Sequence, residues 1–232
     1  MNPERFHGCK AILFDFGGTL DSDGEHWLDR FYALYEDQGF QIPLSEIKRA
    51  FYYADGLCSS DSQVVSLGLR PLMKCHVRFQ FAALNLADAE KEKKMVEAFC
   101  TKSERFLRRN ARLLRRIRAR YRLGLVSNFY GNVAALCEEA GLASALDVIL
   151  DSALVGMSKP DPGIFRAALE RFQLPPEEVI CVGDSFERDM IPARELGMKT
   201  IWMKGPHPRI PENAGPVDAS VSSLSELEVL VP

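Results

Sequence analysis

Residues 11–19, Ala-Ile-Leu-Phe-Asp-Phe-Gly-Gly-Thr, decide how the chain is read. A short apolar run ends abruptly in Asp15, and two glycines follow almost at once. Such a run, bounded by turn chemistry, has the pattern of a buried strand. Comparable runs recur at 123–126, 148–150, 179–182 and 200–203, with helical stretches between them. Strands alternating with helices need crossover connections, so the chain predicts an α/β, Rossmann-like core with a mostly parallel sheet and helices on both faces. In sheets of that kind ligands gather beyond the carboxyl ends of the strands. Polar residues directly after each run are therefore the candidates for chemistry.

The spacing of the runs is uneven. Residues 23–104 read as mostly helical, with Trp27, Leu28, Phe31, Leu34 and Tyr35 recurring at three- and four-residue intervals. A helical cap inserted after the first strand is the economical account. It leaves 1–22 and 105–232 as the core and 23–104 as the cap, with connections near 21–24 and 101–105. The breaker-rich segment 205–211, Gly-Pro-His-Pro-Arg-Ile-Pro, reads as a loop.

Composition bounds the function. The chain has 232 residues, 47% hydrophobic and 26% charged, which is globular and unlike a disordered chain. Lys and Arg total 29 against 32 Asp and Glu, a net charge of −3, so polyanion binding is not its main business and no nucleic-acid partner is expected. The arginines at 105, 108, 109, 112, 115 and 116 form one stripe of a helix, with Phe106, Leu113, Leu114 and Ile117 roughly opposite. That is an amphipathic surface helix, without interleaved aromatics to stack bases. No apolar run approaches the ~18 residues of a membrane span, and Asp15 interrupts the N-terminal apolar stretch, unlike a signal peptide. The expectation is a cytoplasmic protein with no membrane partner. Six cysteines lack metal-site spacing and sit mostly among apolar neighbours, as reduced buried thiols do.

Four polar clusters stand at or beyond strand ends: Asp15-Phe16-Gly17-Gly18-Thr19, Ser127-Asn128, Lys159-Pro160, and 183–189, Gly-Asp-Ser-Phe-Glu-Arg-Asp. Singly, each has an ordinary structural account as a turn, a helix cap or a solvated loop. In this order on an alternating chain, they resemble the four motifs of the haloacid dehalogenase superfamily, most of whose members are magnesium-dependent phosphohydrolases. The helical insert after the first motif resembles its capped, phosphatase-type subgroup.

The resemblance implies roles. Asp15 would be the nucleophile, attacking phosphorus to form an aspartyl-phosphate, with Lys159 offsetting charge on it and on the substrate. Mg²⁺ would be held by Asp15, Asp184 and the carbonyl of Gly17, with Asp189 just outside the ligand set. Ser127, Asn128 and the backbone at Gly18 would bind the substrate phosphate. These residue types suit the chemistry, since Mg²⁺ takes oxygen ligands and a phosphoryl group must be neutralised before an anion approaches it. The substrate expected is a small phosphorylated metabolite; oligomeric state is left open.

One position departs from the pattern. Phosphatases of the superfamily carry an acid/base Asp two residues after the nucleophile, and here that residue is Gly17. A positioned acid/base contributes on the order of 10² to 10⁴ in rate. Asp21, Asp23 and His26 are the nearest replacements in sequence. Two alternatives follow from the gap. One is a weakened protein that binds phosphate and Mg²⁺ in a regulatory role. The other is a phosphonate hydrolase using a cap lysine, for which Lys48 and Lys74 are the candidates.

Overall fold

The computed structural model describes residues 3–212 and 214–231. Its main elements, in chain order, are β1 (Ala11–Phe14), α1 (Trp27–Asp37), α2 (Leu44–Ser60), α3 (Leu69–Ala83), α4 (Ala89–Ile117), β2 (Arg122–Ser127), α5 (Val133–Glu139), β3 (Val148–Asp151), α6 (Ser152–Val155), α7 (Gly163–Phe172), β4 (Val179–Gly183), α8 (Ile191–Glu195), β5 (Lys199–Met203), β6 (Ala219–Val221) and α9 (Leu227–Leu230). All five strands anticipated from the apolar runs are present. The sixth, β6, was not legible: it has three residues, its middle one is exposed, and its pairing with β5 defines it. Residues 205–211 form a loop, as their breakers predict.

The sheet is parallel, in the order β3-β2-β1-β4-β5-β6. The chain steps outward from β1 to β3, then returns to the other side of β1 with β4. The strand order therefore reverses between β1 and β4, where doubly wound sheets leave a crevice for ligands. Every residue of β1 and β4 is buried, as expected of central parallel strands covered on both faces. Alternation sorts their side chains. Ile12 and Phe14 pack with Leu107, Ala111 and Leu114 of α4, whereas Ala11 and Leu13 pack with Ile164, Phe165 and Phe172 of α7.

The insert consists of α1, α2, α3 and the first part of α4. Phe31 of α1 stacks on Phe99 of α4 at 4.8 Å and on the ring of His76 of α3 at 5.3 Å. These residues belong to the same apolar cluster as Ile12 and Phe14, so packing continues unbroken from the sheet into the cap. The 29-residue helix α4 is what bridges them. Its start is capped by the Asp88 carboxylate accepting from Lys91 N–H at 3.0 Å, with Glu90 and Glu92 at the positive end of its dipole and Arg115 and Arg116 at the negative end. The return connection expected near 101–105 falls inside this helix, not in a loop.

The outward connection is fixed by a buried ion pair. Arg30 Nη1 meets Asp21 Oδ2 at 2.7 Å, with the two side chains 2% and 0% exposed. Arg30 Nη2 also donates to the Phe99 carbonyl and Ser103 Oγ, tying the strand-one turn to α1 and α4 at once. The arginine stripe of α4 is exposed apart from Arg109, which turns to Asp23. Phe106 is a correction to the apolar face: it is partly exposed, with the Arg109 guanidinium 4.9 Å from its ring centre. All six cysteines are free, and burial pushes the thiols of Cys58, Cys100 and Cys137 up to about 12. No helix among the described residues is long and apolar enough to cross a membrane.

Candidate active site

Register sets the geometry. Phe14 lies beside Leu125 of β2 and Val182 of β4, and Asp15 N–H donates to the Val182 carbonyl at 2.9 Å. Asp15 is thus level with Gly183, one residue short of Asp184 on one neighbouring strand and of Ser127 at the end of β2 on the other. After Asp15 the chain makes one wide turn, Phe16–Leu20, closed by Asp21 N–H to the Phe16 carbonyl. Gly18 takes φ +84 in this turn, and a Cβ there would lie 2.4 Å from Asp184 Oδ2. Only glycine lets the turn come so close to that carboxylate.

The sequence candidates converge. One carboxylate oxygen each from Asp15, Asp184 and Asp189 lie within 4.8 Å of one another. Lys159, itself buried, reaches up from the loop before α7 and donates to Asp15 Oδ1 and Asp189 Oδ1, both at 2.6 Å. Ser127 Oγ donates to Asp15 Oδ1 at 3.1 Å. Asp189 Oδ2 accepts from Ser185 N–H at 3.1 Å, which holds the turn after β4 against the cluster. Asn128, expected at the substrate, has both ends of its amide bonded to the Lys159 backbone at 2.8 Å each. Its first task is to hold the lysine loop.

Electrostatics follow from this crowding. Burial alone would lower the Lys159 ammonium, but Asp15 and Asp189 outweigh it and raise the group above its ordinary value. Desolvation, then the charges of Asp15 and Asp189, push the Asp184 carboxyl well above the usual carboxylate range. Asp189 is pushed up to about 6 by burial, against the opposing pull of Lys159. The Asp184 side chain has no protein donor among the described residues. Lys159 is bonded to Asp15 and Asp189, so three carboxyls share one ammonium and Asp184 is left without a counter-charge, which is why its proton is held so tightly. A small hard cation bound through oxygen is the partner such a donor set fits.

The three candidate replacements for the missing acid separate clearly. Asp21 is consumed by Arg30, by the Trp27 indole N–H at 2.7 Å and by Gly18 N–H at 2.8 Å. Asp23 takes both Nη atoms of Arg109 and caps Leu224 N–H. His26 alone of the three lines the cavity beside the cluster. Its Nδ1 accepts from Leu28 N–H at 3.2 Å as the N-cap of α1, which leaves the ring hydrogen on Nε2. Desolvation, reinforced chiefly by the Arg209 guanidinium, holds this imidazole below its usual range. Position 17 has a neighbour that sequence did not reveal: a Cβ there would lie 3.4 Å from Trp27 Nε1. Lys48 is exposed and lines a second cavity, which unlike the first is lined by Asp184, whereas Lys74 is exposed on α3 in a different depression.

The cavity that His26 lines measures about 300 Å³ and adjoins the cluster through Gly17 and Asn128, the carboxylates themselves not lining it. Gly17 and Asn128 contribute to its core side and Phe51, Tyr52 and Asp55 of α2 to its cap side. Sequence periodicity assigned these α2 residues only to a helix, because which face of α2 covers the sheet edge is a tertiary matter.

A doubly wound parallel sheet that gathers three carboxylates and a buried lysine beyond its strand ends, beside an inserted layer of helices, is the arrangement of a hydrolase class. A family model described as haloacid dehalogenase-like hydrolase matches residues 9–197. The chain belongs to the haloacid dehalogenase-like hydrolase family. It is similar to haloacid dehalogenase-like hydrolase domain-containing protein 3 of Bos taurus, 38% identical over 108 residues, 46% of this chain and 43% of the relative. Pyrimidine 5'-nucleotidase YjjG of Escherichia coli is 35% identical over 121 residues, 51% of this chain and 53% of the relative. Phosphoserine phosphatase of Thermus thermophilus is 43% identical over 89 residues, 38% of this chain and 35% of the relative. In these matches the chain spans about half of each relative's length or less. Among solved structures, a dehalogenase with an intermediate complex has a TM-score of 0.65 at 20% identity, over 97% of both chains. An HAD phosphatase from Thermococcus onnurineus has 0.51 at 22%, over 96% of this chain and 97% of the other. At such identities the likeness speaks for the fold.

Proposed function

We propose that the protein is a Mg²⁺-dependent phosphatase acting on a small phosphorylated metabolite through Asp15. The observation that carries this reading is the convergence of Asp15, Asp184 and Asp189 within 4.8 Å, with Lys159 joined to two of them. The activities for which the similar nucleotidase and phosphoserine phosphatase are named point the same way.

Asp15, Asp184 and the Gly17 carbonyl would hold the ion, which when bound supplies positive charge against the phosphoryl oxygens. The rest is done by the chain. Lys159 balances the charge of Asp15 and of the incoming phosphate, and Ser127 Oγ turns its hydrogen to a phosphate oxygen. Asn128 keeps Lys159 in place. An Asp15 oxygen bonds to phosphorus as the bond to the leaving oxygen breaks; water then cleaves the aspartyl-phosphate and restores Asp15.

Gly17 supplies no proton to the leaving oxygen. His26 can donate a hydrogen bond from Nε2, but with Nδ1 committed to Leu28 N–H it is a poor proton shuttle. Esters whose leaving groups are stable as anions are therefore the better substrates. The test is turnover of phenyl phosphate with and without Mg²⁺, in the parent and in Asp15→Asn. Metal-dependent turnover abolished by the substitution is expected. Tight phosphate binding with no turnover of any ester would instead favour the regulatory reading, for which Gly17 packed against Trp27 is the specific observation.

A further inference from the structure

In the phosphatase reading, the leaving group of a substrate held at Asp15 would project past Gly17 and Asn128 into the 300 Å³ cavity that they line, where α2 confronts it. Asp55 is the carboxylate of that surface. It is 27% exposed, and its Oδ1 accepts two hydrogen bonds, from the Tyr130 hydroxyl on the core side and from His76 Nε2 on α3 at 3.0 Å.

A relay fixes the chemistry of these donors. Tyr35 Oη donates to Gln80 Oε1 at 3.3 Å, which orients the amide so that Gln80 Nε2 donates to His76 Nδ1 at 2.8 Å. His76 Nδ1 is thereby an acceptor, and the ring hydrogen sits on Nε2, aimed at Asp55. Tyr130 is a neutral phenol, its hydroxyl held well above its ordinary range by burial and then by Asp55. Both donors are uncharged. Among the described residues no lysine or arginine pairs with Asp55, and its Oδ2 has no protein partner. A carboxylate held rigid through one oxygen, with the other left over in a cavity, is a built acceptor. Phe51, Tyr52, Phe129 and Trp27 line the same space with ring surfaces, which favour a cation; Arg188 lines it as well, so the selection is Asp55's own, at the cap side, and not a property of the whole cavity.

We infer that Asp55 is a specificity-determining residue, selecting phosphomonoesters whose leaving group carries an N–H donor and rejecting those that carry a carboxylate there. The inference rests on the phosphatase reading above. An ammonium and a neutral ring N–H share the required chemistry, and a substrate panel distinguishes them.

The experiment measures kcat/KM with Mg²⁺ for phosphoethanolamine, uridine monophosphate, phosphoglycolate and phenyl phosphate, in the parent and in Asp55→Asn. The amide oxygen of Asn can still accept from Tyr130 and His76, so the fold is preserved, and a thermal melt verifies it. The parent should prefer an N–H ester over phosphoglycolate by about tenfold or more, and the variant should lose that preference while phenyl phosphate changes little. Which of the two N–H esters leads identifies the source of the donor. A parent with no preference, or a variant that slows every ester equally, overturns the inference even if the enzyme is a phosphatase. If Asp15-dependent turnover is absent throughout, the phosphatase reading falls on its own. Equilibrium binding of phosphoethanolamine against phosphoglycolate then decides Asp55, equal affinities counting against it.

Discussion

Gly17 and His26 carry the chemistry that sets this chain apart at the scale of single residues. Gly17 has ordinary extended backbone angles, φ −75 and ψ 123, so a side chain is tolerated by the backbone. What a new side chain would meet is the Trp27 indole N–H, itself bonded to Asp21. Gly17→Asp is expected to raise kcat on alkyl phosphates with poor leaving groups, by about 10² at most. That is the low end of what a positioned acid contributes, because the indole competes for the new carboxylate. Paired rates on phenyl and alkyl phosphates check this; an unchanged ratio means the carboxylate is misaimed.

His26 links the site to stability. Its folded pKa is depressed, first by burial and then by Arg209, so the folded state disfavours the charged imidazole. Its contribution is present in full above the unfolded value of about 6.5 and is lost as pH falls below it. Asp184 and Asp189, held above the usual carboxylate range, act in the opposite direction, so the readout is the difference between two proteins that share them. Between pH 7.5 and 5.5 the urea midpoint of the parent is expected to fall relative to that of His26→Asn, which keeps an N-cap acceptor without a titrating ring.

Among the elements, the turn after β1, α1 and α4 depend on one another through Arg30 and Asp21. The pair is fully enclosed, so removing one partner strands a charge. Arg30→Ala is expected to cost roughly 3–5 kcal/mol in urea unfolding, far more than loss of an exposed pair such as Arg116–Glu228. Sequence reading identified α1 and α4 from their periodicity but not this junction. Asp21 and Arg30 each have a routine surface reading, and only the docking of α1 on α4 buries them together.

Over the whole molecule, one apolar cluster runs from the sheet through α4 into the cap, and a hydrogen bond from Tyr130 to Asp55 crosses the cavity between them. Cap and core should then unfold together. In Trp202→Phe, fluorescence of Trp27 at the junction and far-ultraviolet circular dichroism of the whole chain are expected to share one midpoint. Two separated midpoints would show that the cap melts on its own.

The sequence by itself determined five of the six strands, their parallel arrangement and the identities of Asp15, Ser127, Lys159, Asp184 and Asp189 as candidates. Those depend on local facts: apolar runs of strand length, and polar residues immediately following them. Tertiary structure alone decided that Asn128 serves Lys159, that Trp27 lies against position 17, that Asp21 and Asp23 are spent on arginines, and that Asp55 shares a cavity with Gly17 and Asn128. Each of these is a contact between different elements, set by how they pack. Residue type and periodicity say which side of a helix is apolar, but not what that side meets, because the meeting is fixed by packing of the whole.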